Sequence, residues 1–315
     1  MYFGLAGMAF VLRAVCDVLG EDRAGQAAAR ALDLVRSRFD GERWPDQFEL
    51  LGGNAGIALG AARAGDLDLA VLALTPYLAT AEATAGGVHW EVRAGTPARF
   101  HHLSHGTLGI VYALAAIGHA AGRRDLTDLA LAGAADVVSR DEAGPDGFLV
   151  PHSDPQHKRL RPGFWDNNGR CCGTAGVLAL ACDRHAEEGD GLSFAGVLAS
   201  DLAARATVDN DGARWSNYEH RASPRTLAPR TGWAMGNAGI IRELLRYARL
   251  CDQRDPSYAV AWPDHPPAAR SVNVVHFAPP AGQNAPRSWG IAATAGGRPC
   301  AGRPGPGGAG RGGPR

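Results

Sequence analysis

The chain has 315 residues, 45% of them hydrophobic, and its 32 Lys+Arg balance 32 Asp+Glu. That length supports one large domain or two ordinary ones around a sizeable core. The neutral balance argues against nucleic-acid binding through a basic surface, and no apolar run reaches the roughly 18 residues of a membrane span.

Aromatic residues make up only 7% of the chain, while alanine, leucine and glycine dominate it. Ala and Leu favour helices over strands, so an all-α fold is expected. The chain opens on Gly4-Leu5-Ala6-Gly7, followed by an apolar run that begins at Met8. A second helix is predicted from Arg23 to Arg38, then a polar loop from Gly41 to Trp44. Next comes Gly53-Asn54-Ala55-Gly56 with its own apolar run, a helix from Asp66 to Thr84, and a loop from Gly87 to Trp90. The third step is Gly106-Thr107-Leu108-Gly109, with a helix from Asp125 to Arg140 and a weaker loop at Gly147-Phe148. Gly173-Thr174-Ala175-Gly176 is the fourth, with a helix from Leu192 to Ala206 and a loop from Gly212 to Trp215. Gly236-Asn237-Ala238-Gly239 is the fifth.

One Gly-x-x-Gly is weak evidence, but five with matching neighbours mark a repeat. Each unit pairs an inner helix, opened by the glycine step, with an outer helix. Such a unit cannot bury both of its faces alone and must stack on its neighbours. Closure into a ring is expected, with the inner helices lining a barrel and the glycine turns gathered at one end. The loops, with their Trp residues, suggest short hairpins. The repeat defines one domain over 1–265. From about Pro266 to Arg315 the sequence turns to Pro, Gly, Ala and Arg, and this tail is expected to be disordered.

The residues with chemistry stand just before the glycine steps. Cys171 and Cys172 precede Gly173, and thiolates are natural Zn²⁺ ligands, although free cysteine is also a common small core residue. His105 precedes Gly106 and suits a general acid or base, a metal ligand, or a helix cap. His101 and His102 read as loop residues. Asp166 and Arg170 could hold a carboxylate or phosphate, since a guanidinium offers a fixed fork of donors, or they could simply form a polar turn. Glu219-His220-Arg221 reads as a solvated loop, and nothing local demands a role for Asp46. No Walker loop, His-Glu-x-x-His or Gly-x-Ser-x-Gly occurs. The six cysteines do not form a secreted disulfide framework, and the N-terminus lacks a signal-peptide pattern, so a reduced cytoplasmic setting is expected.

Three segments carry a resemblance. His105-Gly106-Thr107-Leu108-Gly109-Ile110, Cys171-Cys172-Gly173-Thr174-Ala175-Gly176-Val177 and Thr231-Gly232-Trp233-Ala234-Met235-Gly236-Asn237-Ala238-Gly239-Ile240 resemble the lanthionine synthetase C-like family. The resemblance implies an α/α toroid, of which this chain shows about five of the family's seven pairs. It also implies a zinc-dependent cyclase that adds peptide cysteine thiols to dehydroalanine or dehydrobutyrine. By position, His105 is then the histidine of proton transfer, and Cys171, with Cys172, the site of Zn²⁺. The substrate is a precursor peptide or a small thiol, and a dehydratase is the partner enzyme. The pattern departs where the family has Cys-His-Gly, because this chain has Ala234-Met235-Gly236. That departure leaves a second reading, a non-catalytic protein binding a peptide or thiol in the same cavity. An α/α-barrel carbohydrate enzyme would need paired cavity carboxylates, and no convincing pair is present.

Overall fold

The computed structural model describes residues 4–254, apart from 43, 45–46, 94, 144–146, 156–167, 189–191, 211 and 216–229. The tail from 266, Asp46, Asp166 and Glu219-His220-Arg221 therefore lie outside the described residues. In chain order the helices are α1 (Gly4–Leu19), α2 (Asp22–Arg36), α3 (Asn54–Arg63), α4 (Leu67–Thr80), α5 (Thr107–Ala121), α6 (Arg124–Ser139), α7 (Thr174–Glu188), α8 (Leu192–Ala204) and α9 (Asn237–Arg254). The odd-numbered helices all start on a glycine step, and the even-numbered ones match the expected second helices to within a few residues.

At the steps before α3 and α5, space explains the first glycine better than backbone conformation does. Gly53 and Gly106 sit at the helix N-caps with φ of −115° and −137°, which any residue can adopt. A Cβ on Gly106, however, would lie 2.6 Å from the Phe100 carbonyl oxygen and 2.7 Å from the His102 nitrogen. The loops ahead of α3, α5 and α9 fold back in this way over Gly53, Gly106 and Gly236. The second glycine meets the neighbouring repeat: a Cβ on Gly109 would overlap the Leu103 carbonyl and stand 2.8 Å from Leu50 Cβ. Only glycine permits such close approach of backbones.

Each inner helix packs on the next, α1 on α3, α3 on α5, α5 on α7 and α7 on α9, and each of the first four also packs on its own outer helix. Burial follows this arrangement. In α5, Leu108, Ile110, Val111, Ala113, Leu114 and Ile117 are all buried, so the helix is apolar nearly all round. In α2 only Ala28, Leu32 and Val35 are buried, a single stripe facing inward. At the first helix, Met8 and Val11 are each 57% exposed. No helix among the described residues is long and apolar enough to cross a membrane.

The tryptophan loops have a common function. The Trp44 indole N–H donates to the Val35 carbonyl (2.5 Å), that of Trp90 to Tyr77 (3.0 Å) and that of Trp215 to Leu202 (2.7 Å). Each acceptor lies in the last turns of an outer helix, where carbonyls lack helical partners. The indole, buried at Trp90 and Trp215 and half-buried at Trp44, thus supplies both apolar area and a cap. Two of these loops are antiparallel ribbons, β1 (Glu82–Ala83) with β2 (Val88–His89), and β5 (Thr207–Asp209) with β6 (Gly212–Arg214). The third ribbon is different. It pairs β3 (Arg99–Phe100) with β4 (Ser153–Asp154), joining the loop before α5 to the one before α7.

Successive pairs are also tied at the surface. Asp66 caps α4 by accepting from the Leu69 N–H (2.8 Å), and it accepts two bonds from the Arg36 guanidinium at the end of α2. Asp66→Ala is expected to lower stability by about 1 kcal/mol, chiefly through the cap, because an exposed ion pair adds little. Urea denaturation of the variant checks this.

Candidate functional site

The loops that precede α5, α7 and α9 lie side by side. The Ser104 N–H donates to the Cys171 carbonyl (2.9 Å), and the Cys171 N–H donates to the Ala234 carbonyl (2.8 Å). Ser104, Cys171 and Ala234 occupy the same place in three consecutive repeats, two residues before the glycine step. Residues far apart in sequence are therefore neighbours at one end of the helix stack.

His105 stands on this surface with its side chain 46% exposed. Its Nδ1 lies 3.3 Å from Oε2 of Glu49, whose side chain is only 3% exposed. Glu49 comes from the loop before α3, where its oxygens also accept the Leu51 N–H (2.6 Å) and the Gly52 N–H (3.0 Å). Two backbone donors thus hold the carboxylate rigidly, and the carboxylate in turn orients the imidazole. Sequence reasoning missed Glu49. The available signal was its position four residues before a glycine step, which His102 occupies in the next repeat.

His101 and His102 do lie in a loop, as expected, but they are buried rather than solvated, at 1% and 6% exposure. The Nδ1 of His102 accepts the His105 backbone N–H (3.3 Å) and lies 3.2 Å from Ser104 Oγ. Ser104 Oγ is in turn 3.4 Å from Cys172 Sγ. The His102 ring stacks on His152, with centroids 4.2 Å apart. Burial holds both imidazoles neutral: desolvation drives His101 down to about 3 and His102 well below the ordinary histidine value. These rings, with Phe148, Val150 and Cys172, line a pocket beside the loops.

Cys171 and Cys172 are the side chains the sequence nominates for Zn²⁺. Both are half-buried thiols, and burial raises the Cys171 pKa, with Arg170 pulling the other way. The residue hydrogen-bonded beside Cys171 is Ala234, which has no donor side chain. Among the described residues no group of three or more His, Cys, Asp or Glu is arranged to hold a metal ion. Cys171 and Cys172 are the residues that would hold the zinc that the resemblance implies, and no chemical step below passes through a metal. Cys182, buried in α7 and pushed up to about 12 by desolvation, is a core thiol.

The model of a protein family described as lanthionine synthetase C-like protein matches residues 1–187, a span containing the first four glycine steps, Glu49, His105, Cys171 and Cys172. No curated protein matches the chain.

Proposed function

The chain belongs to the lanthionine synthetase C-like family, and from that premise we propose that it adds a peptide cysteine thiol to a dehydroalanine or dehydrobutyrine residue, forming a thioether. The observation that carries this reading is the Glu49–His105 pair, a rigidly held carboxylate behind a half-exposed imidazole at the meeting point of the loops. His105 takes the thiol proton as sulfur attacks the β-carbon of the dehydroamino acid. The double-bond electrons move to the α-carbon, and the same proton returns there from His105. Atoms and charge balance, with the thiol hydrogen ending on carbon. Glu49 holds the ring and offsets its transient positive charge.

In the same reading the series of inner helices is an arc of an α/α toroid, and the glycine loops form its mouth. A dehydratase must act earlier, because the dehydroamino acids have to be made from hydroxyl side chains. The second reading, a non-catalytic protein that binds a peptide or thiol, is favoured by Ala234-Met235 standing where the family has a metal-ligand pair.

The test is to incubate the purified protein with a peptide holding one cysteine and one dehydroalanine. Thioether formation leaves the mass unchanged and removes a site for thiol alkylation. Loss of alkylation faster than in protein-free buffer is the expected result. Peptide binding with no acceleration would overturn the enzyme reading in favour of the second.

A further inference from the structure

Buried polar side chains almost always find hydrogen-bond partners, and the exceptions call for an explanation. Two adjacent residues carry such exceptions here. Neither ring nitrogen of His101 nor Nε2 of His102 has a hydrogen-bond partner among the described residues, and both side chains are buried. Both rings line the pocket that Phe148, Val150, Val177 and Cys172 also line.

Packing alone does not explain His101. It stands five residues before its glycine step, and the residue at that place in the preceding repeat is Phe48. The two are equally buried, each at 1% exposure. A phenyl ring therefore fills this place in one repeat without bringing in a polar atom. The imidazole of His101 takes two nitrogens out of water with no bond inside the fold in return.

The same nitrogens define what satisfies them. His102 Nδ1 accepts the His105 backbone N–H (3.3 Å), so its ring proton sits on Nε2 and makes that atom a donor. His101 adds one donor and one acceptor. The pocket thus sets both kinds of polar atom against the apolar walls of Phe148, Val150 and Val177. The cavity measures about 30 Å³, room for about two water-sized groups. A primary carboxamide matches these features together. Its oxygen accepts, its NH₂ donates, and each is close to a water in size. A carboxylate has no donor to give and would shed its hydration among apolar walls.

We propose that this pocket is a subsite for a primary carboxamide, the side chain of a glutamine or asparagine near the reacting cysteine of the peptide substrate. His102 Nε2–H donates to the amide oxygen, and His101 completes the hydrogen bonding. Cys172 borders the pocket and belongs to the loop that meets Ser104, so the subsite adjoins the candidate reaction site. The inference rests on the peptide-acting reading above and gives it a sequence preference.

Its test measures binding without chemistry. Fluorescein-labelled peptides with one cysteine and no dehydro residue are titrated by fluorescence polarisation. Each carries glutamine, asparagine, glutamate or leucine at one of the positions close to the cysteine on either side. At one position or more, glutamine or asparagine is expected to bind about tenfold tighter than glutamate and leucine. His101→Phe, which installs the ring that Phe48 supplies one repeat earlier, should abolish the preference. Val150→Phe, which narrows the pocket, should do the same. Equal affinities across the scan, or no measurable binding, overturn the proposal, as does a preference that survives both substitutions. A preference shown by protein that fails to close the thioether ring would sink the enzyme reading and leave the subsite standing.

Discussion

His105→Asn is expected to slow thioether formation by about 10²–10⁴-fold, the usual contribution of a positioned proton carrier. The side chain is nearly half exposed, so its loss removes little packing and the thermal midpoint should move by only a few degrees. Glu49→Gln should have a smaller effect of the same kind. Glutamine keeps an oxygen for one of the two backbone donors but loses the negative charge behind His105. Because neither residue is proposed to bind the peptide, the loss should appear in kcat with KM nearly unchanged. Mass-spectrometric kinetics on the cysteine–dehydroalanine peptide measures both variants. A His105→Asn rate within threefold of the parent would remove His105 from the mechanism.

Acid is expected to destabilise the fold well before most carboxylates titrate, because of His101. Its folded-state pKa is about 3, against an ordinary 6.5, and the cause is burial first, then the charge of Arg140. Above pH 6.5 the ring is neutral whether the chain is folded or not, and it has no effect on stability. Below that the unfolded chain binds a proton that the folded chain refuses, so stability is lost as pH falls from 6.5 towards 3. The slope is about 1.4 kcal/mol per pH unit, or roughly 4 kcal/mol between pH 6.5 and 3.5. His102, shifted the same way by its own burial and by His152, steepens the loss. Urea unfolding at a series of pH values should show a shallower dependence for His101→Gln, by about that slope. Parallel curves for the variant and the parent would mean that the buried ring is protonated in the folded state.

Two kinds of information separate cleanly in this molecule. The repeat was legible because its constraints are local. A helix that must start beneath a returning loop needs glycine at the point of contact, and that need recurs at Gly53, Gly106 and Gly236 whatever the neighbouring residues are. Outer helices such as α6 were visible through apolar spacing, and the loops through their tryptophans, although the indole caps themselves required coordinates.

The candidate site was legible only in part. His105 and Cys171 were marked by their places beside glycine steps, and the structure puts their loops in contact through Ser104. Glu49 was not found, because nothing in Phe48-Glu49-Leu50 indicates that its carboxylate reaches a histidine of the next repeat. His101 and His102 read as loop residues, and the sequence carried no sign of their burial. The β3–β4 pairing lays His152 over them and excludes water. Arg170 looked like part of a polar turn, and its buried partner, Glu243, lies in a helix that the sequence brings in only much later.

The sequence by itself determined the repeat, the helical class and the family, because spacing along the chain dictates where helices start and which face they bury. Only the tertiary structure decided which ionisable groups meet and which lose their water: Glu49 with His105, Arg170 and Arg242 with Glu243, and His102 against His152. The physical reason is that the energy of a charge depends on neighbours within a few ångströms and on exclusion from water. In a stacked repeat those neighbours come from other units of the chain.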